Sequence, residues 1–134
     1  MRERCPDTKL VGKFKLEGYK LAFTIYSPKR LCGCADIIKS HGDEVWGLVY
    51  ELTDSDMQKL DGYEGHPRYY KRITVNVVDE VGMKKEVETY EVSEKSKQYE
   101  KPSREYLDII IHAANEYNFP ESYKKVINAF QTLD

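Results

Sequence analysis

Two runs rich in aliphatic and aromatic residues, 10–15 and 19–26, read as strands, and Glu17-Gly18 between them reads as a hairpin turn. Residues 35–39 form a short apolar strand candidate, followed by the polar turn Ser40-His41-Gly42-Asp43. The clearest strand is 45–52. Val45, Gly47, Val49 and Glu51 alternate there with Trp46, Leu48, Tyr50 and Leu52. Apolar residues on both faces predict burial on both sides, as in a closed barrel or a covered sheet.

The period then changes to that of a helix. Thr53 can cap it, with Asp56 as the acidic partner of a capping-box-like pattern, and Leu52 and Met57 are spaced as a hydrophobic staple. Met57 and Leu60 share one face, and Gly62 suits the left-handed position after the helix end. This predicts that Glu64 lies in a loop just beyond a pinned helix terminus. Residues 69–78 return to strand alternation, with Ile73, Val75 and Val77 on one side. A turn over 79–84 containing Gly82 leads to a partner strand over 86–92. Residues 95–101 are polar and predict a loop. Pro102-Ser103 opens a helix with a capping serine, and Leu107, Ile110, Ile111 and Ala114 recur at helical spacing. Asn118-Phe119-Pro120 ends it, and Tyr123, Val126, Ile127 and Phe130 mark a shorter last helix. Strands first and helices later predict an α+β class in one domain over 1–134. Residues 1–5 look like the end of a helix, where a first strand is expected if the others are to close into a barrel.

Composition narrows the function. Hydrophobic residues make up 40% and charged residues 33% of 134, which suits a soluble globular chain. Lys and Arg number 21 against 23 acids, a net charge of −2 with the signs interspersed, so no field draws nucleic acid or an anionic membrane. No apolar run reaches the roughly 20 residues that span a bilayer, and the polar N-terminus has no signal core. Cytoplasm is the expected location. Three cysteines do not suggest a disulfide framework. Cys32-Gly33-Cys34 could hold a soft metal or form a redox pair, but no second Cys or His cluster completes a tetrahedral site. Small buried residues in a strand are the favoured reading.

The candidate chemistry sits in Leu60-Asp61-Gly62-Tyr63-Glu64-Gly65. Glu64, between an aromatic residue and a glycine in a loop gripped on both sides, is placed as catalytic carboxylates often are. The pattern alone equally describes a solvated acid after a helix. His66 lies close enough in sequence to tune Glu64. Asp61 with Glu64 would suggest a paired-carboxylate hydrolase, but Asp61 sits at the predicted helix end and need not face the same way.

Several segments together resemble the γ-glutamylcyclotransferase family: Gly42-Asp43-Glu44-Val45-Trp46-Gly47-Leu48-Val49-Tyr50, the segment around Glu64, and Pro102-Ser103-Arg104-Glu105-Tyr106 running into Ala113-Ala114-Asn115-Glu116-Tyr117. Each is weak alone; their order and spacing are specific and cover nearly the whole chain. The resemblance implies a small mixed β-barrel with flanking helices and a cavity at one end. It implies a reaction in which the free α-amine of a γ-glutamyl group attacks its own γ-carbonyl, releasing 5-oxoproline and an amine or amino acid. It implies neither metal nor cofactor. The family's catalytic glutamate falls on Glu64, a substrate-contacting tyrosine on Tyr106, and cavity-lining aromatics on Tyr70 and Tyr90. Without the resemblance, Tyr106 reads as a helix residue packed on the sheet, and Tyr70 and Tyr90 as wall aromatics.

One departure is clear. The family's Tyr-Gly-Ser-Asn-like loop, which holds the γ-glutamyl group through backbone amides, has no counterpart in this sequence. Met1-Arg2-Glu3-Arg4-Cys5-Pro6-Asp7 resembles the helix that follows that loop. The expectation is a chain that starts at an internal methionine or a shortened relative. Two function classes follow: a cyclising enzyme acting on small γ-glutamyl substrates, or a non-catalytic domain of the same fold that binds a ligand or partner. An unpaired edge left by a lost first strand would favour homodimers.

Overall fold

The computed structural model describes residues 8–134. The readings made on residues 1–7 lie outside the described residues. The elements run β1 (Lys9–Ser27), β2 (Cys32–Glu51), α1 (Asp54–Glu64), β3 (Tyr70–Val78), β4 (Lys84–Val92), α2 (Arg104–Glu116) and α3 (Glu121–Asn128).

The first two elements are long. β1 and β2 form one antiparallel hairpin, paired from Lys9↔Glu51 to Ser27↔Cys32. Its turn is at residues 28–31, where the Leu31 N–H donates to the Ser27 carbonyl at 2.7 Å. The expected turn at Glu17-Gly18 is therefore corrected, as is the break at 40–43. Glu17 pairs with Glu44 and Tyr19 with Lys39, so Gly18 stands opposite residues 40–43 as a bulge. The turn chemistry was real, since Gly18 adopts φ 80. It bends a continuing ladder, because the apolar residues on either side of Gly18 share one partner strand and a bulge preserves their pairing.

The four strands lie in the order β2-β1-β3-β4, and every pairing is antiparallel. β1 meets β3 at Lys15↔Val78. The α+β class with flanking helices holds. The mixed barrel is corrected to a curled, unclosed antiparallel sheet. A side chain spans the curl where a ladder would otherwise close it. Asp36 on β2, its side chain 0% exposed, accepts from the Val92 N–H of β4 at 2.8 Å and from Thr24 Oγ1 at 2.7 Å. Lys95 Nζ lies 2.9 Å from Oδ2, the oxygen that also accepts from Thr24. A buried carboxylate needs such partners to offset its lost hydration.

The bend divides the hairpin between two cores. Phe23 and Trp46 pack with Leu107 and Ala114 of α2, Phe119, and Tyr123 and Ile127 of α3. Phe14 and Leu16 pack with Val75 and Val77 of β3, the face its alternation predicts. Helix starts also follow the sequence. Thr53 and Asp56 form a reciprocal capping box, and Ser103 Oγ accepts from the Tyr106 N–H at 3.1 Å.

Candidate functional site

α1 runs further than Gly62. Gly65 takes the left-handed position at φ 66, and the His66 N–H closes onto the Asp61 carbonyl at 2.9 Å. Ending at Gly65 satisfies carbonyls of the last turn that an end at Gly62 would leave open. The loop placement of Glu64 is thus corrected: it is the last helical residue, half-buried. A Cβ on Gly65 would come within 2.7 Å of the Tyr69 ring, so glycine also lets the chain fold back tightly into β3.

The helix changes the reading of Asp61 as well. Three residues apart on a helix, Asp61 and Glu64 share a face. Both charges act on the Tyr90 hydroxyl, and with burial they hold its acidity well below that of an ordinary phenol. Asp61 is nevertheless committed elsewhere. Its Oδ1 accepts the Tyr90 hydroxyl proton at 2.6 Å, and Arg72 lies 3.2 Å from its Oδ2. It anchors β3 and β4 to α1, which does not suit a second acid/base. His66 is exposed, and its Nδ1 accepts from the Arg72 N–H at 3.1 Å, fastening the loop to β3.

Tyr70 and Tyr106 converge from β3 and α2 on one residue of β2. Tyr70 donates its hydroxyl proton to the Ala35 carbonyl at 2.8 Å, and the Tyr106 oxygen accepts from the Ala35 N–H at 3.0 Å. Burial pushes both phenols up: Tyr106 to about 12, and Tyr70 further, with Tyr106, Cys34 and Glu64 adding to the effect on Tyr70. Cys34 neighbours the pair; burial raises its thiol, while a hydrogen bond from Tyr106 and the charge of Arg30 oppose the rise. Arg30, exposed in the β1–β2 turn, stacks its guanidinium over the Tyr106 ring at 5.2 Å from the centroid.

Tyr70 and Tyr106 therefore meet at Ala35, and Glu64 acts electrostatically on Tyr70 and Tyr90, with Asp61, Cys34 and Arg30 as neighbours that the sequence reading did not assign to the site. A separate hollow of about 520 Å³ lies inside the curled sheet, lined by Phe14, Leu16, Leu60, Val75 and Val77 among others. Tyr90 lines it; Glu64, Tyr70 and Tyr106 do not. The Cys-Gly-Cys run has a packing role: Cys32 and Cys34 are buried free thiols. The Gly33 N–H donates to the Lys101 carbonyl at 2.8 Å, and a Cβ there would lie 1.7 Å from the Glu100 oxygen.

Residues 44–127 match the AIG2-like family. The chain is 33% identical to the γ-glutamylcyclotransferase of Bos taurus over 138 residues, covering 98% of this chain and 71% of that protein. It is 33% identical to the γ-glutamylcyclotransferase of Homo sapiens over 105 residues, covering 76% of this chain and 54% of that protein. A solved γ-glutamyl cyclotransferase superposes with a TM-score of 0.91 at 28% identity, covering 99% of this chain and 80% of that chain.

Proposed function

The chain belongs to the AIG2-like, γ-glutamylcyclotransferase family, and from that premise we propose that it releases 5-oxoproline from small γ-glutamyl peptides or amines, with Glu64 as general acid/base. The reaction is intramolecular. The substrate's α-amine attacks its own γ-carbonyl, a C–N bond forms to close a five-membered lactam, and the C–N bond to the leaving amine breaks. Holding nucleophile and electrophile in one molecule removes the need for an activated serine or cysteine. What remains is proton movement: one proton leaves the α-ammonium to free its lone pair, a second leaves the same nitrogen once the ring has closed, and the leaving nitrogen takes up two as it departs as an ammonium. A single carboxylate can take and give in turn.

The observation that carries this reading is the position of Glu64. It is fixed at a helix end, half-buried, and acts electrostatically on two half-buried tyrosines, Tyr70 and Tyr90. Tyr70, Tyr90 and Tyr106 are proposed as the substrate-contacting wall. No cofactor is called for by this chemistry. The same reading puts the protein in the cytoplasm with no nucleic-acid or membrane partner; no described helix is long and apolar enough to cross a membrane. A homodimer joined at an exposed sheet edge is the proposed assembly. The test is release of 5-oxoproline from a γ-glutamyl dipeptide by the purified chain. A folded protein that binds the dipeptide without cyclising it would favour a non-catalytic binding domain instead.

A further inference from the structure

The end of β3 that carries Tyr70 is held to the β1–β2 hairpin by side chains. Among the described residues β3 pairs with β1 at Lys15↔Val78, and Tyr70 stands at the opposite end of β3, about 25 Å away at strand spacing. β2 and β4 are the outer strands of the sheet, so no ladder spans the gap between them there. Two side chains cross it instead, and they join the same pieces of backbone. Tyr70 donates its hydroxyl proton to the Ala35 carbonyl at 2.8 Å. The Asp36 carboxylate accepts from the Val92 N–H at 2.8 Å, and Val92 is the cross-strand partner of Tyr70. Ala35 and Asp36 are consecutive, so the contacts close into a ring that runs Ala35, Asp36, Val92, Tyr70 and back to Ala35.

Asp36 is gripped from β1 and from the loop after β4 as well. The β1–β2 ladder shifts between Phe23↔Ala35 and Ile25↔Cys34, which leaves Thr24 as the extra residue of a bulge. The Thr24 hydroxyl donates to Asp36 Oδ2 at 2.7 Å, and its carbonyl accepts from the Ser96 N–H at 2.7 Å. Lys95 Nζ, 2.9 Å from the same carboxylate oxygen, also donates to the Val92 carbonyl at 2.9 Å. Three donors thus converge on a side chain that is wholly buried, and a carboxylate is the acceptor-only group they require. A buried ion pair adds little stability over an apolar pair of the same size. What a fully bonded buried carboxylate supplies is one defined geometry. We propose that Asp36 is a positioning residue for the reaction, fixing the β3–β4 end so that the Tyr70 hydroxyl meets the Ala35 carbonyl beside Tyr106. The inference rests on the γ-glutamyl reading and adds to it a residue that acts through Tyr70.

The test is a double-mutant cycle on Asp36→Asn and Tyr70→Phe, read by kcat/KM for 5-oxoproline release from a γ-glutamyl dipeptide. A second readout is the fluorine resonance of 3-fluorotyrosine placed at residue 70. Whichever way the introduced amide turns, its NH2 meets either the Val92 N–H or the Lys95 ammonium, donor against donor. Asp36→Asn should lower kcat/KM by about 10- to 100-fold, the cost of a displaced site group. In the Tyr70→Phe background the same substitution should change kcat/KM by less than about twofold, since the hydroxyl it would place is gone. The resonance at residue 70 should move by more than its linewidth in Asp36→Asn, while the same label at Tyr117, the C-cap of α2, should stay in place. Thr24→Val keeps the side-chain shape and removes one donor to Asp36, so it should move both readouts the same way by less. Kinetics and spectra are taken where the melting curve of each variant shows it folded.

Equal losses with and without the Tyr70 hydroxyl would overturn the positioning role. So would a residue-70 resonance that stays in place in both Asp36→Asn and Thr24→Val. Cyclisation by the wild-type chain that is indifferent to both substitutions keeps the γ-glutamyl reading and removes this inference. A wild-type chain that releases no 5-oxoproline fails that reading, and a residue-70 resonance that still moves with Asp36→Asn supports the placement of Tyr70 by Asp36.

Discussion

Two regions of the molecule differ in character. The hollow inside the curled sheet, about 520 Å³, has Phe14, Leu16, Leu60, Val75 and Val77 on its wall. The junction around Ala35 is polar, with two phenols bonded to the N–H and the carbonyl of that one residue, Arg30 over the Tyr106 ring and Glu64 acting electrostatically on Tyr70. The apolar wall of the hollow can stabilise by excluding water, and Asp54, Lys85, Glu86 and Glu88 also line it. The junction offers acceptors, donors and charge at fixed positions, which is what a proton-transfer reaction requires. Tyr90 joins the two, its side chain lining the hollow and its hydroxyl bound to Asp61 beside the junction.

Substitutions that strike one region and spare the other test this division. Leu16→Ala on the wall of the hollow removes a buried side chain of the second core. It should cost about 2–4 kcal/mol in urea unfolding, the usual range for such truncations. Turnover per folded molecule should stay within about twofold; a large kinetic loss in still-folded protein would show that the hollow takes part in the reaction. Tyr106→Phe strikes the junction. It leaves the Ala35 N–H without its acceptor, and should cost about 1–2 kcal/mol of stability together with a rise in KM. A rise in KM with unchanged stability would place the role of Tyr106 in substrate contact alone.

The smallest effect is alkaline. Tyr106 titrates at about 12 in the fold against 10.0 ordinarily, so the folded state keeps a proton that the unfolded chain gives up first. Its contribution is complete below pH 10 and lost as pH rises from 10 towards 12. Unfolding free energy followed against pH should be flat through neutrality and fall in that window, and the fall should shrink in Tyr106→Phe. An equal fall in both proteins would assign it to other groups.

Much of this was legible in the sequence because it is local. The cap residues Thr53 and Ser103, the alternation through Val75 and Val77, and the apolar spacing of Leu107 and Ala114 each depend on neighbours within a few positions. Their elements appear as expected. What was misread depends on distant partners. Gly18 carries the same turn signal whether the chain reverses or bulges, and the choice lies with β2. Gly62 and Gly65 are both able to end α1, and the closing hydrogen bonds select Gly65. Asp36, in a run that reads as apolar, acquires its role from Thr24, Val92 and Lys95. The same holds at the site. Motif order pointed to Glu64, Tyr70, Tyr90 and Tyr106. The assignments of Asp61 to Tyr90 and of Arg30 to Tyr106 join residues 29 and 76 positions apart and needed the folded chain.

The central claim is that Glu64 moves the protons in the cyclisation. It is tested most directly by following 5-oxoproline released from a γ-glutamyl dipeptide by the wild-type chain and by Glu64→Gln. The account predicts a loss of about 10²- to 10⁴-fold in kcat, the contribution of a positioned acid/base, with far-ultraviolet dichroism and melting unchanged. Retained turnover in a folded Glu64→Gln protein would contradict it.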